Sequence, residues 1–139
     1  MLSNLIAILL RFRQFSCAIS ADDKKAFLQI EVDSSDRDVL RYLWYKETLD
    51  EALPLCKPTS YRMKRLPFGL SVSPFILCAV IKTHLKENFN LFPKTVDRIV
   101  DNIYMDDVVI SVDSLEEALC VKEECIKLFN EMEMTLAKW

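Results

Sequence analysis

The stretch "NIYMDDVVIS", residues 102–111, sets two adjacent aspartates between two apolar, strand-like arms. With its flanks it predicts a β-hairpin over residues 99–112, with Asp106 and Asp107 at the tip. Two readings of that tip stand side by side. Aspartate is common in tight turns, because its carboxylate bonds nearby backbone amides and it tolerates unusual dihedrals. Paired carboxylates at a hairpin tip also suit a divalent cation. What the rest of the chain supplies decides between them.

Upstream, "FSCAIS" (Phe15 to Ser20) reads as a strand running into Asp22. Alternation puts Phe15, Cys17 and Ile19 on one face and Ser16, Ser20 and Asp22 on the other. A second strand is expected over Val39 to Tyr45, a loop over residues 46–59 with Pro54 and Pro58, and a third strand over Tyr61 to Leu66. Ser73-Pro74 is a helix start, with a hydroxyl at the cap and proline in the first turn, and that helix should run to about Glu87. Ser114 and Glu117 form a capping box for a helix over 114–131. Its Ala118, Val121, Cys125, Leu128, Phe129 and Met132 keep helical spacing. At the N-terminus, "LIAILL" is far shorter than the roughly 20 apolar residues of a membrane span and lacks the leading positive charge of a signal peptide. Leu2, Leu5, Ile6 and Leu9 instead follow the stripe of an amphipathic helix. Together these elements predict an α+β fold: three or four mainly antiparallel strands with the two longer helices on one face.

Composition narrows the function. A chain of 139 residues, 51% hydrophobic, is one domain with enough apolar residues for a core. A net charge of −3 offers no bulk attraction to nucleic acid or an anionic membrane. The five cysteines form no C-x-x-C pair, and four lie in apolar segments, as expected of reduced core cysteines in an intracellular protein. The single histidine, His84, has no partner histidine and reads as structural. Average usage of about 7% would give roughly ten glycines, yet the chain keeps only Gly69, in "LPFGLSVSP". That residue serves either a positive φ or the close approach of a ligand.

If the hairpin and the strand ending at Asp22 share a sheet, three carboxylates converge. Like charges raise one another's pKa unless a cation neutralises them. Magnesium suits such a site, since it takes oxygen ligands and is usually held by one or two carboxylates plus substrate phosphates. Two ions about 4 Å apart would serve in-line displacement at phosphorus.

The ordered set "DDKKAF", "LPFGLSVSP" and "YMDD" resembles the palm motifs A, B and C of reverse transcriptases, in the family's order and roughly its spacing. "LLRFRQFSCAISADDKKAFLQI", "DRDVLRYLW", "YRMKRLPFGLSVSPFIL" and "LAKW" resemble the Bel/Pao group of LTR retrotransposons in particular. The resemblance covers nearly the whole chain. It implies a polymerase palm-like α+β fold, with residues 1–139 forming the palm and a remnant of the fingers. Most of the fingers, the thumb, the connection, RNase H, protease and integrase would lie outside this chain. The activity implied is RNA-directed DNA synthesis by two-metal nucleotidyl transfer to a primer 3′-hydroxyl. Its partners would be an RNA or DNA template with primer, deoxynucleoside triphosphates and the remaining polyprotein subdomains, without a membrane. The alternative is an inactive relic or domesticated fragment that acts only as a folded interaction module.

Carried over residue by residue, Asp22 matches the motif A carboxylate, five residues before the aromatic Phe27. Asp106 and Asp107 match the motif C pair, so these three would be catalytic and would hold two magnesium ions, or manganese. Tyr104 and Met105 would lie beside the primer end. Phe27 matches the steric gate against a ribose 2′-hydroxyl, the group that distinguishes RNA from DNA units; the other reading is a plain core phenylalanine. Phe68 and Gly69 would contact the nucleotide, and Pro67, Ser73 and Pro74 the template side. Arg62, Lys64 and Arg65 face either template phosphate or solvent. Retroviral enzymes tend to have glutamine at the position of Phe68. Two departures stand out: Asp23 replaces a usually apolar residue, and Glu133 stands where a glycine is expected.

Overall fold

The computed structural model describes residues 3–45 and 57–139. Its main sheet has four strands in the order β4-β5-β1-β6: β1 (Cys17–Asp23), β4 (Ile103–Tyr104), β5 (Asp107–Val112) and β6 (Leu136–Ala137). Every pairing in it is antiparallel. Register explains how the sheet buries one side. Cys17 lies opposite Val112, Ile19 opposite Ile110 and Ala21 opposite Val108, so apolar residues at every second position share a face. That face meets α3 (Ser73–Glu87), α4 (Pro93–Asn102) and α5 (Leu115–Asn130). Leu77, Ile81, Leu85, Val96, Ile99, Val121, Leu128 and Phe129 join Val108 and Ile110 in a single core. The architecture is therefore mixed helix and antiparallel sheet.

The two long helices fall where their sequence signals put them. Ser114 caps α5: its hydroxyl accepts the Glu117 N–H at 3.2 Å, and the Glu117 carboxylate accepts the Asp113 N–H at 3.2 Å. α3 runs to Glu87 as expected, but Ser73 does not cap it. The N-cap is Val72, with no side-chain hydrogen bond. Ser73 is buried in the first turn, where its hydroxyl donates to the Pro67 carbonyl at 2.8 Å.

Four expectations need correction. The hairpin is shorter than 99–112, because α4 occupies residues 99–102. Pro93 opens that helix, and Val96 and Ile99 are buried three residues apart, a helical rather than a strand period. The strand at Phe15 to Ser20 is shifted to Cys17–Asp23. The strands expected at Val39 to Tyr45 and Tyr61 to Leu66 are β2 (Arg41–Trp44) and β3 (Thr59–Arg62), which among the described residues pair only with each other, as a separate ribbon. Most of the expected 46–59 loop, with Pro54, lies outside the described residues. In α1 (Leu5–Arg11) the buried residue is Ile8, while Leu5, Ile6 and Leu9 are exposed; Leu2 lies outside the described residues. The end of α1 covers the sheet's other face, where the Ser111 hydroxyl donates to the Arg11 carbonyl at 2.7 Å.

The turn after α5 explains the missing glycine. The Met134 N–H bonds the Phe129 carbonyl and the Glu133 N–H the Asn130 carbonyl, both at 3.0 Å, which is the Schellman pattern. Glu133 therefore sits at the left-handed position, with φ 58°. A side chain there is strained by about 1–2 kcal/mol, partly offset by the greater chain entropy that glycine would lose on folding. Glu133→Gly is thus expected to stabilise the fold by about 0.5–1 kcal/mol. Urea unfolding checks this; an unchanged or lower midpoint would contradict it.

Candidate active site

The site is built from the facing ends of the two central strands. β1 and β5 pair so that Asp22 lies directly across from Asp107, and such partners have Cα atoms roughly 4.5–5.5 Å apart. Asp106 precedes β5 in the turn, and its carbonyl accepts the Asp23 N–H at 2.8 Å. The turn is tight because Met105 adopts φ 56°, a left-handed conformation that a non-glycine residue holds only where its surroundings enforce it. Tyr104, half-buried on β4, pairs with Asp107 from the other side. The structure thus brings Asp22, Asp106, Asp107, Tyr104 and Met105 to one end of the sheet.

Charge follows from this packing. Partial burial pushes the Asp107 carboxyl above its ordinary range, and the negative charges of Asp106 and Asp22 push it further. Lys138 opposes the rise: its ammonium is ion-paired with Asp22. Among the described residues no three histidine, cysteine, aspartate or glutamate side chains are arranged as a ready-made metal cage. The donor set nonetheless suits a hard cation whose remaining ligands are substrate oxygens. All the donors are carboxylates, and the one cation already ion-paired with them among the described residues is the Lys138 ammonium.

Two surface pockets flank the carboxylates. One, of about 370 Å³, joins Met105 and Asp106 to Phe27, Phe68, Gly69, Ser73 and Pro74. Phe27 is a buried floor, and the Phe68 ring, 69% exposed, packs against it with centroids 4.4 Å apart. The Pro67 carbonyl holds the loop to α3 through Ser73. Gly69 has φ 89° and no atom within 4 Å of where a Cβ would stand, so it serves the backbone conformation rather than a close protein contact. The second pocket, about 340 Å³, is lined by Asp22, Lys24, Lys25, Ala137 and Lys138. None of these lysines was singled out in the sequence. Only the "LAKW" stretch hinted at Lys138, because nothing local shows that β6 returns to pair with β1.

The basic residues at the end of β3 and just after it are partly engaged. Arg62 pairs with Asp38 at 2.8 Å, and Arg65 donates to the Gln29 carbonyl at 2.8 Å. Lys64 is exposed.

Asp23 was the unexplained charge, and alternation turns it inward. It is 1% exposed, and neither carboxylate oxygen has a hydrogen-bond partner among the described residues. Burial pushes its pKa up to about 7, with Asp106 and Asp22 adding to the rise and the nearby Thr135 backbone opposing it. An apolar residue would fit that position without this penalty.

Among the described residues no helix is long and apolar enough to cross a membrane. A comparison with curated proteins found no match. A match of a different kind spans residues 6–139, from α1 through both pockets and the paired aspartates to the end of β6, and its description reads "Reverse transcriptase (RNA-dependent DNA polymerase)". With nearly its full length matched, the chain belongs to the reverse transcriptase family.

Proposed function

We propose that the chain is the palm, with a remnant of the fingers, of an RNA-directed DNA polymerase from a Bel/Pao-type LTR retrotransposon. Family membership already implies a nucleic-acid template and primer, deoxynucleoside triphosphates and divalent cations. The Bel/Pao assignment rests on the sequence stretches that resemble that group, and the catalytic reading on one observation: the β1–β5 register sets Asp22 opposite Asp107 while Asp106 lines a pocket with Phe27 and Phe68. On this reading the protein works inside the cell, in a cytoplasmic retrotransposon particle or the nucleus, beside the remaining polyprotein subdomains.

Asp22, Asp106 and Asp107 would hold two magnesium ions, or manganese in their place. When bound, such ions activate the attacking hydroxyl and neutralise charge on the transferred phosphate. The chain's own residues position the reactants. Phe27 and Phe68 form an apolar wall on which a nucleotide sits, and the bulk of Phe27 disfavours a 2′-hydroxyl. Gly69 and the Pro67–Ser73 hydrogen bond set the loop beneath it. Tyr104 and Met105 lie where the primer end would meet the carboxylates.

Phosphoryl transfer depends on positioning and charge stabilisation, and duplex affinity comes largely from cationic contacts to phosphate. With net charge −3, the chain's carboxylates outnumber the cations it can offer to phosphate. The 139-residue polypeptide alone is therefore expected to show no processive extension of oligo(dT) on poly(rA) with manganese, whereas the same palm joined to fingers and thumb extends it. Robust extension by the chain alone would overturn the dependence on added subdomains. Silence in both would favour the inactive interaction module.

A further inference from the structure

Among the described ion pairs, the only one that involves Asp22, Asp106 or Asp107 is made by Lys138. The fold delivers that lysine deliberately. β6 pairs with β1 so that Ala137 lies opposite Asp22, and the next residue turns through φ 56°. A non-glycine residue in that conformation is strained unless its surroundings hold it. The neighbour on the far side is held: the Lys122 ammonium lies 5.2 Å from the Trp139 ring centre, tying the strand end to α5. The result is a compact, strongly hydrated cation on a flexible stem, aimed at the carboxylate that the proposed metal would need.

We infer that Lys138 is an internal counter-ion for the metal-free site, whose ammonium competes with a divalent cation for Asp22 and has to withdraw before that oxygen can ligate. This rests on reading the carboxylates as a cation site. The Lys138 side chain is 78% exposed and that of Asp22 28%, so the pair is screened by water and is weak enough to be displaced. It relieves the repulsion among the three aspartates while metal is absent. It also raises the metal concentration at which the site fills.

Manganese binding, read from the free-ion electron paramagnetic resonance signal, tests this with Lys138→Met and Lys138→Arg. The methionine keeps the apolar stem and loses the charge. It is expected to bind manganese about fivefold more tightly than the wild type, the upper range for a surface pair, while the arginine keeps the wild-type affinity. In metal-free buffer Lys138→Met should lower the unfolding temperature, but not in an Asp22→Asn background. Wild-type manganese binding left equal or weakened by Lys138→Met would overturn the counter-ion and leave the cation site standing. Absence of manganese binding in both wild type and Lys138→Met would overturn the cation site itself.

Discussion

Asp23→Val should stabilise the protein at pH 8 by about 4 kcal/mol, and the gain should fade as the pH falls toward 4. The carboxyl is buried without partners, and its pKa stands at about 7 against the ordinary 3.8. Burial thus favours the protonated form in the folded state. The folded protein binds the extra proton across that interval, so the contribution is fully present below about pH 4 and is lost as pH rises through 7. About three units at 1.36 kcal/mol each give the 4 kcal/mol. That is a large part of the 5–15 kcal/mol that holds a typical domain together. Valine suits a strand and the apolar inner face of β1. Urea unfolding of both proteins between pH 4.5 and 8 decides the matter. A stability gap that does not change with pH would mean that Asp23 is not the titrating group.

Asp106→Asn should weaken manganese binding by about a hundredfold while leaving the metal-free protein slightly more stable. One unit charge about 4 Å from a cation contributes about 4 kcal/mol at an effective dielectric of 20, which is near a thousandfold in affinity; water at this open site reduces it. The apo protein moves the other way, because removing one negative charge lessens the repulsion that raises Asp107. Opposite signs for stability and metal affinity separate a ligand from a turn residue. If wild type and Asp106→Asn bind manganese equally, Asp106 is a turn residue and no more.

The parts of the fold that could be read in the sequence are those written in local chemistry. The capping box at Ser114 and Glu117 announced α5, and Pro74 announced α3. The paired aspartates sat in a recognisable hairpin, although its first arm was overextended into α4, where "RIVDNIY" mixes helical and strand periods. What local chemistry did not carry was long-range pairing. β2 and β3 read as strands of the main sheet, yet among the described residues they pair only with each other. Ile8, rather than the Leu5, Ile6 and Leu9 stripe, is the buried residue of α1, because which side of a short helix meets the sheet is a tertiary matter. Within the candidate site, the register of Asp22 against Asp107 agrees with a hairpin and a strand in one sheet. The lysine beside them arrives through β6, and the inward turn of Asp23 follows from alternation once β1 is extended to residue 23.

The pairing of β1 with β5 joins residue 22 to residue 107 across most of the chain. Closing a loop of some 85 residues carries about 4 kcal/mol of length-dependent entropy, and contacts of such separation slow folding. Asp106 and Asp107 are neighbours on the local β4–β5 hairpin, but Asp22 joins them only once this long loop is closed. The logarithm is shallow at that length. Doubling the intervening segment adds only about 0.6 kcal/mol, so a longer connection between β1 and β5 adds little to the penalty for assembling the aspartates.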